Sequence, residues 1–313
     1  MKKSSFIFFL ILTFGLNGLE AQIKYESEAQ KLGTQFKIIF YCADANTGDK
    51  LAAEAWALVD ELNMIFSDYE PSSEITLLSK SAGTSEWIGV SDRLWEVLIL
   101  SHNISVKTQG AFDITIGPLS KLWRRAFRRN ILPQESEVAE AKDLVNYKWI
   151  HFNKEKQSVF LEKPDMRLDL GGIAKGYIID RVFQYFSDKG INEVLVDGGG
   201  DIFVGAAYDS EAPWKLSYGG ADQISNGWEH RAIASSGDHF RYLEYGGMKY
   251  SHIIDPRTGY GSNQPSQVVI SAPSCVLADA LASTISILGM ERGQEFLTHF
   301  PNSKLEYLEK HKL

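Results

Sequence analysis

The chain lacks most of the features that would let one motif name its function. Only two cysteines, Cys42 and Cys275, occur in 313 residues. That excludes a disulfide framework and any all-cysteine zinc site; the two could pair with each other, since sequence does not give their separation, and the preferred reading is two buried thiols. Basic residues are outnumbered, 32 Lys and Arg against 40 Asp and Glu, giving a formal charge of −8. A chain of that charge is a poor partner for a phosphate backbone. No G-x-x-x-x-G-K-[ST] motif is present, because Lys175 precedes rather than follows the last glycine of Gly171-Gly172-Ile173-Ala174-Lys175-Gly176. Gly198-Gly199-Gly200 does not complete a dinucleotide fingerprint. There is no G-x-S-x-G elbow and no H-E-x-x-H pair, which weighs against a serine hydrolase and a zinc protease.

Long apolar runs are absent with one exception. Phe6 to Gly15 is apolar, follows Lys2-Lys3, and is followed by small and polar residues up to Leu19-Glu20-Ala21-Gln22. This is the pattern of a secretory signal peptide, with cleavage expected after Ala21. The run falls short of the roughly 20 residues a transmembrane anchor needs, and no Cys follows that could carry a lipoprotein anchor. The expectation is an exported, periplasmic or extracytoplasmic protein, soluble after cleavage, with residues 22–313 as one catalytic unit.

What is present is ordinary globular material, 44% hydrophobic and 23% charged, which excludes a disordered, collagen-like or coiled-coil chain. Periodicity and turn residues predict helices over 49–66, 92–108, 134–144, 173–188, 276–289 and 291–299. They predict strands at 35–41, 149–153, 158–162, 166–169, 193–197, 214–218, 231–235, 239–245, 250–254 and 267–272. Residues 219–229 read as a surface loop. Helices mixed with runs of strands, without regular alternation, point to an α+β fold rather than a doubly wound parallel sheet.

Four constellations bear chemistry, each beside a plainer reading. Gly110-Ala111-Phe112-Asp113 lets backbone approach a flat ligand, with Phe112 offering a ring face and Asp113 an acceptor for a heterocycle. The plainer reading is a helix stop with a core Phe, which composition alone favours. Asp169 to Tyr177 runs into a helix start where paired glycines and exposed N–H groups suit a phosphate, or it is a tight turn with a surface Lys175. Asp279 and Ser283 share one helix face at i and i+4 and would suit a hard cation such as Mg²⁺, or Asp279 simply complements a helix dipole. His252, in the run His252-Ile253-Ile254-Asp255-Pro256-Arg257-Thr258-Gly259, is a candidate general base, although a lone His in a strand is more often structural.

Taken in order, these segments resemble the FAD:protein FMN transferase (ApbE) family over nearly all of the chain after residue 21. The resemblance runs through Gly33-Thr34-Gln35-Phe36, Phe66-Ser67-Asp68-Tyr69 with Ser73-Glu74-Ile75, Ala111-Phe112-Asp113 with Trp123, and Asp169 to Tyr177 with Asp180. It continues through Gly198 to Ile202, Ser236-Gly237-Asp238 with Arg241-Tyr242, His252 to Gly259, and Ala278 to Ser283. It implies an ApbE-like, T-fold-related α+β architecture of mixed sheets with packed helices. It also implies a Mg²⁺-dependent enzyme that cleaves FAD and attaches FMN by a phosphoester to a Thr or Ser of an acceptor flavoprotein, releasing AMP. Carried over by residue, the resemblance makes Ala174 (backbone carbonyl), Asp279 and Ser283 metal ligands. It makes Leu32, Tyr69, Ala111, Phe112, Asp113, Gly171, Tyr177 and Ile253 the lining of the FAD site, and His252 the base for the acceptor hydroxyl. Two departures stand out: Leu32 where the family usually has Met, a volume-conserving swap, and Ser283 where it often has Thr, which keeps the hydroxyl. An FAD pyrophosphatase releasing free FMN, and a non-catalytic extracytoplasmic FAD-binding protein, are the competing readings.

Overall fold

The computed structural model describes residues 22–209, 213–217, 224–237, 242–245, 248–262 and 267–309. The expected signal segment, 1–21, lies outside them, as do Asp238, Arg241 and part of the 219–229 stretch. The chain opens with β1 (Ile23–Lys31), β2 (Thr34–Cys42), α1 (Ala45–Phe66), α2 (Glu74–Lys80), β3 (Ile88–Gly89) and α3 (Asp92–Lys107). There follow α4 (Gly117–Arg129), α5 (Glu135–Lys142), β4 (Ile150–Asn153), β5 (Ser158–Leu161), α6 (Ala174–Asp188), β6 (Val194–Asp197) and β7 (Ile202–Val204). The remainder is β8 (Trp214–Ser217), β9 (Ile224–Trp228), β10 (Arg231–Gly237), β11 (Tyr242–Tyr245), β12 (Met248–Ser251), β13 (Gln267–Ala272), α7 (Cys275–Leu297) and β14 (Lys304–Glu309).

Seven strands form an antiparallel sheet in the order β1-β2-β6-β7-β10-β13-β14. The strand period of two divides its side chains between two cores. Phe36, Ile38 and Phe40 of β2, Val194 and Val196 of β6, Ala232 and Ala234 of β10, and Val268 and Ile270 of β13 face α1, α6 and α7 in the main core. Leu195, Val204, Ile233 and Val269 point to the opposite face, where the β8–β9 hairpin covers them with Leu216 and Trp228. A satellite core gathers Leu119, Leu122, Trp123 and Ala126 of α4, Val138 of α5, Leu243 of β11 and Ile254. Cys42 and Cys275 are both buried free thiols.

The α+β expectation holds, and most expected elements are present within a few residues. Helix α1 starts four residues before the expected 49 because the Asp44 side chain caps it, accepting the Thr47 N–H at 2.8 Å. The break expected between two C-terminal helices falls at Gly289, whose φ is 76° inside α7. Three expectations are corrected. Residues 166–169 form no strand and make one isolated parallel bridge, Ile116 with Arg167. Residues 224–228, read as loop, pair with β8. His252 and Ile253 lie beyond the end of β12 rather than inside a strand over 250–254.

Candidate functional site

The site grows from the place where the N-termini of α6 and α7 meet. Gly176 makes that approach possible: a Cβ there would stand 2.3 Å from the Cys275 carbonyl oxygen. First-turn N–H groups have no partners within their own helix, and here the two helices supply each other. Asp180 of α6 accepts the N–H groups of Cys275 at 2.7 Å and Val276 at 2.8 Å, replacing the side-chain cap that Ser274 does not make. In return Asp279 of α7 accepts the Gly176 N–H at 3.1 Å through Oδ2. Burial pushes the Asp180 carboxyl up to about 6 against the pull of those two N–H groups. Burial and the neighbouring Asp201 push Asp279 up to about 7, opposed by Lys175.

Lys175 sets the charge of this corner. Its Nζ lies 2.5 Å from Asp201 Oδ2, and Asp201, buried after the Gly198–Gly200 turn, accepts the Ser235 N–H at 3.1 Å. Burial pulls the Lys175 ammonium down, but Asp201 and Asp279 outweigh it and hold it above its ordinary value. Ser283 lies one turn beyond Asp279 on α7. A Cβ at position 172 would be 3.2 Å from Ser283 Oγ and 3.5 Å from the Phe112 ring. Asp279 and Ser283 therefore bracket the segment Gly172–Gly176, with Ala174, the first residue of α6, between them.

This donor set fits a hard divalent ion. It offers one carboxylate and one hydroxyl flanking the Gly172–Gly176 backbone, and would leave coordination places for further oxygens, as Mg²⁺ prefers. Among the described residues no three His, Cys, Asp or Glu side chains gather into a metal-binding group. The fit thus rests on neutral oxygens around a single acid, and a cation beside the buried Asp279 would favour its charged form.

The expected flavin residues come from several elements. Asp169 donates its N–H to Ile114 O at 2.8 Å, and Gly117 donates to Arg167 O at 3.2 Å. The two segments run side by side, which carries Phe112 to Gly172. Ala111, Phe112 and Asp113 are buried. Asp113 holds its own turn: Oδ1 accepts the Thr115 N–H and hydroxyl at 2.8 and 2.7 Å, and Oδ2 the Tyr147 N–H at 2.8 Å. With two lone pairs on each oxygen, Oδ2 keeps one acceptor position for a ligand. Gly171 donates to Asp169 Oδ1 at 2.8 Å. Tyr69 is 70% exposed, with the Arg124 guanidinium over its ring 4.1 Å from the centroid. Arg124 also reaches Asp68 through Nη1 and Asp169 Oδ2 through Nη2.

Leu32 occupies the two-residue tip of the β1–β2 hairpin, where it (φ 52°) and Gly33 (φ 76°) are both left-handed. Thr34 just behind it abuts Gly199, where a Cβ would meet Thr34 Oγ1 at 2.3 Å. Tyr177 lies deeper: its hydroxyl donates to Glu96 Oε2 at 2.6 Å and its ring meets Phe66 edge-on. A cavity of about 380 Å³ lined by Glu96, Tyr177, Arg181, Gln184 and Ser274 shares that residue but none of Asp279, Ser283, Gly171 or Phe112.

His252 and Ile253 are half-buried in the turn after β12. Ser262 ties this turn to α7, its N–H donating to Ile253 O at 2.7 Å and its hydroxyl to Ser286 O at 2.8 Å. The far side is fixed by the Trp123 indole, which donates to Gly259 O at 2.8 Å, and by the fork of Arg257 on Asp255. Ser262 thus links the residue after His252 to the α7 turn that follows Ser283.

Sequence reasoning assigned no role to Asp180, Asp201 or Asp68, although their motifs were noted, and passed over Arg124. The amphipathic spacing of Leu119, Leu122, Trp123 and Ala126 could have found helix α4. No local signal gives the partners of Arg124, which are 56 and 45 residues away.

An antiparallel sheet backed by helices, with a phosphate-suited glycine turn and hard oxygens at crossed helix ends, describes a class of nucleotide-handling α+β protein. The chain belongs to the ApbE family, whose model matches residues 32–308. It is 30% identical to the FAD:protein FMN transferase of Vibrio cholerae serotype O1 over 276 residues, 84% of this chain and 80% of that one. It is also 30% identical to the FAD:protein FMN transferase of Treponema pallidum, over 79% of this chain and 74% of that one. Among solved structures it resembles the flavin transferase ApbE from Vibrio cholerae, with a TM-score of 0.80, 26% identity and 92% and 98% of the two chains covered.

Proposed function

We propose that this chain is a Mg²⁺-dependent FAD:protein FMN transferase that moves FMN from FAD to a Thr or Ser hydroxyl of an acceptor flavoprotein and releases AMP. The observation that carries the reading is the bracket of Asp279 and Ser283 around Gly172–Gly176, together with relatives named for that activity.

Ala174, Asp279 and Ser283 would hold the metal, which when bound supplies charge neutralisation for a pyrophosphate and its departing phosphate. The chain's own groups do the rest. The dipole of α6 favours the same anion, although its Ala174 and Gly176 N–H groups are already given to Leu170 O and Asp279 Oδ2. Lys175 keeps Asp201 neutralised, so that the corner does not repel phosphate. Leu32, Tyr69, Ala111, Phe112, Asp113, Gly171, Tyr177 and Ile253 form the flavin-binding set, and orientation by such residues is most of catalysis in phosphoryl transfer. His252 takes the proton of the acceptor hydroxyl. The acceptor oxygen then bonds to the FMN phosphorus, the bond from that phosphorus to the bridging oxygen breaks, and AMP leaves with that oxygen.

Residues 1–21 read as an export signal, which puts the reaction outside the cytoplasm. Among the described residues no helix is long and apolar enough to cross a membrane. The test is mass spectrometry of a candidate acceptor incubated with the protein, FAD and Mg²⁺. One FMN added to a Thr or Ser, with one AMP released per adduct, supports transfer. Free FMN with unlabelled acceptor assigns a hydrolase, and unchanged FAD removes the reading.

A further inference from the structure

Arg124 stands where three separate segments meet. It leaves α4 and its planar fork engages Asp68, at the end of α1, and Asp169, before the Gly171 turn. The same guanidinium lies over the ring of Tyr69. Both carboxylates are nearly closed off, with side-chain exposures of 14% for Asp68 and 7% for Asp169. Asp169 is already committed on its other oxygen to the Gly171 N–H. Without a cation between them, two shielded carboxylates would face each other beside a turn suited to a phosphate. A planar, always-charged fork answers this geometry where a lysine would not.

We infer that Arg124 is a positioning residue for FAD. It clamps the Tyr69 segment to the Gly171 turn and neutralises the Asp68–Asp169 pair, so that the flavin-binding surface is formed before the ligand arrives. The inference rests on the proposed flavin site. Burial and the facing Asp169 push the Asp68 carboxyl up even with Arg124 in place, in line with a pair that repels and is held by the clamp. Arg124 engages Asp68, Asp169 and Tyr69 rather than the residues that bracket Gly172–Gly176, so its effect belongs in binding rather than in the chemical step.

The experiment is FAD titration followed by flavin fluorescence, with KM and kcat for FAD, on the full chain. Arg124→Ala is expected to weaken FAD binding and raise KM about tenfold, with kcat kept within about twofold. Adding Asp68→Asn to Arg124→Ala should recover most of the lost affinity, because it removes the unneutralised charge that the first change exposed. Arg128→Ala, on the exposed face of the same helix, should bind as the parent does. If Arg124→Ala does not fold, Arg124→Lys takes its place, with an expected loss of about threefold since it keeps the charge but not the fork. Unchanged FAD binding in the Arg124 variant overturns the inference, as does a fall in kcat that Asp68→Asn fails to rescue. If the parent chain itself neither binds nor consumes FAD, the proposed function fails instead, which keeps the two outcomes apart.

Discussion

At the α6–α7 crossing, polar side chains are buried and tied to backbone N–H groups of the opposite helix. Asp180 takes two such groups and Asp279 one. Around Tyr69, polar groups meet as side chain on side chain over turns, and one residue, Arg124, carries two carboxylates and an aromatic ring. The first arrangement is as rigid as the helix packing beneath it, since Gly176 lets backbone touch backbone. The second depends on a long side chain spanning three segments. The end that would hold phosphate and metal is therefore built into the core, whereas the flavin set has Ala111, Phe112 and Tyr177 in the core and only its Tyr69 edge assembled on top of it.

The largest effect expected from breaking this contrast is at Asp279. Asp279→Ala should lower Mg²⁺-dependent FAD consumption by about a thousandfold, measured as AMP release by chromatography. A chelator should do the same to the parent, with activity returning on Mg²⁺ addition. A variant that still turns over FAD would move the metal elsewhere. Next comes the packing itself: Gly176→Ala forces a methyl against the Cys275 carbonyl and should cost about 3 kcal/mol in urea denaturation. A loss well under 1 kcal/mol would mean that the crossing is loose.

Asp180 sharpens the comparison through pH. Burial holds its carboxyl at about 6, above the ordinary aspartate value of 3.8, so the folded state binds the proton more tightly. The stability this group contributes is full below about pH 4 and is lost as pH rises through 6. The stability of the parent minus that of Asp180→Asn should therefore fall by roughly 2–3 kcal/mol between pH 4 and 7. A flat difference would show that the carboxyl is not held near neutrality. The smallest effect is at the hairpin tip. Leu32 sits left-handed at φ 52°, a conformation Asn adopts more readily. Leu32→Asn should raise stability by about 1 kcal/mol while weakening FAD binding. A stability loss would show that Leu32 is packed rather than strained.

The core end was the more legible in sequence. The i, i+4 spacing of Asp279 and Ser283, the glycine pair opening α6 and the helix break at Gly289 are local patterns, and local patterns survive without tertiary knowledge. The buried faces of β2 and β13 were legible for the same reason. Strand β1 was missed because its residues, Ile23 to Lys31, are mostly polar and lie on the sheet edge, so no apolar alternation marks it. Residues 166–169 look like a strand by composition but find no ladder, since their neighbour is the turn at Ile116. Asp180 as a cap for another helix, and Arg124 as a clamp, depend on partners 45 to 96 residues away, which no spacing rule encodes. Helix α4 was passed over, although its apolar face repeats at helical intervals beneath four arginines.

The measurement that bears most directly on the central claim is a crystal structure of the chain with FAD and Mg²⁺. The account predicts a magnesium ion about 2.1 Å from an Asp279 carboxylate oxygen and the Ser283 hydroxyl, with the pyrophosphate at the first turn of α6. A metal held by other residues, or a pyrophosphate bound away from Gly172–Gly176, would contradict it.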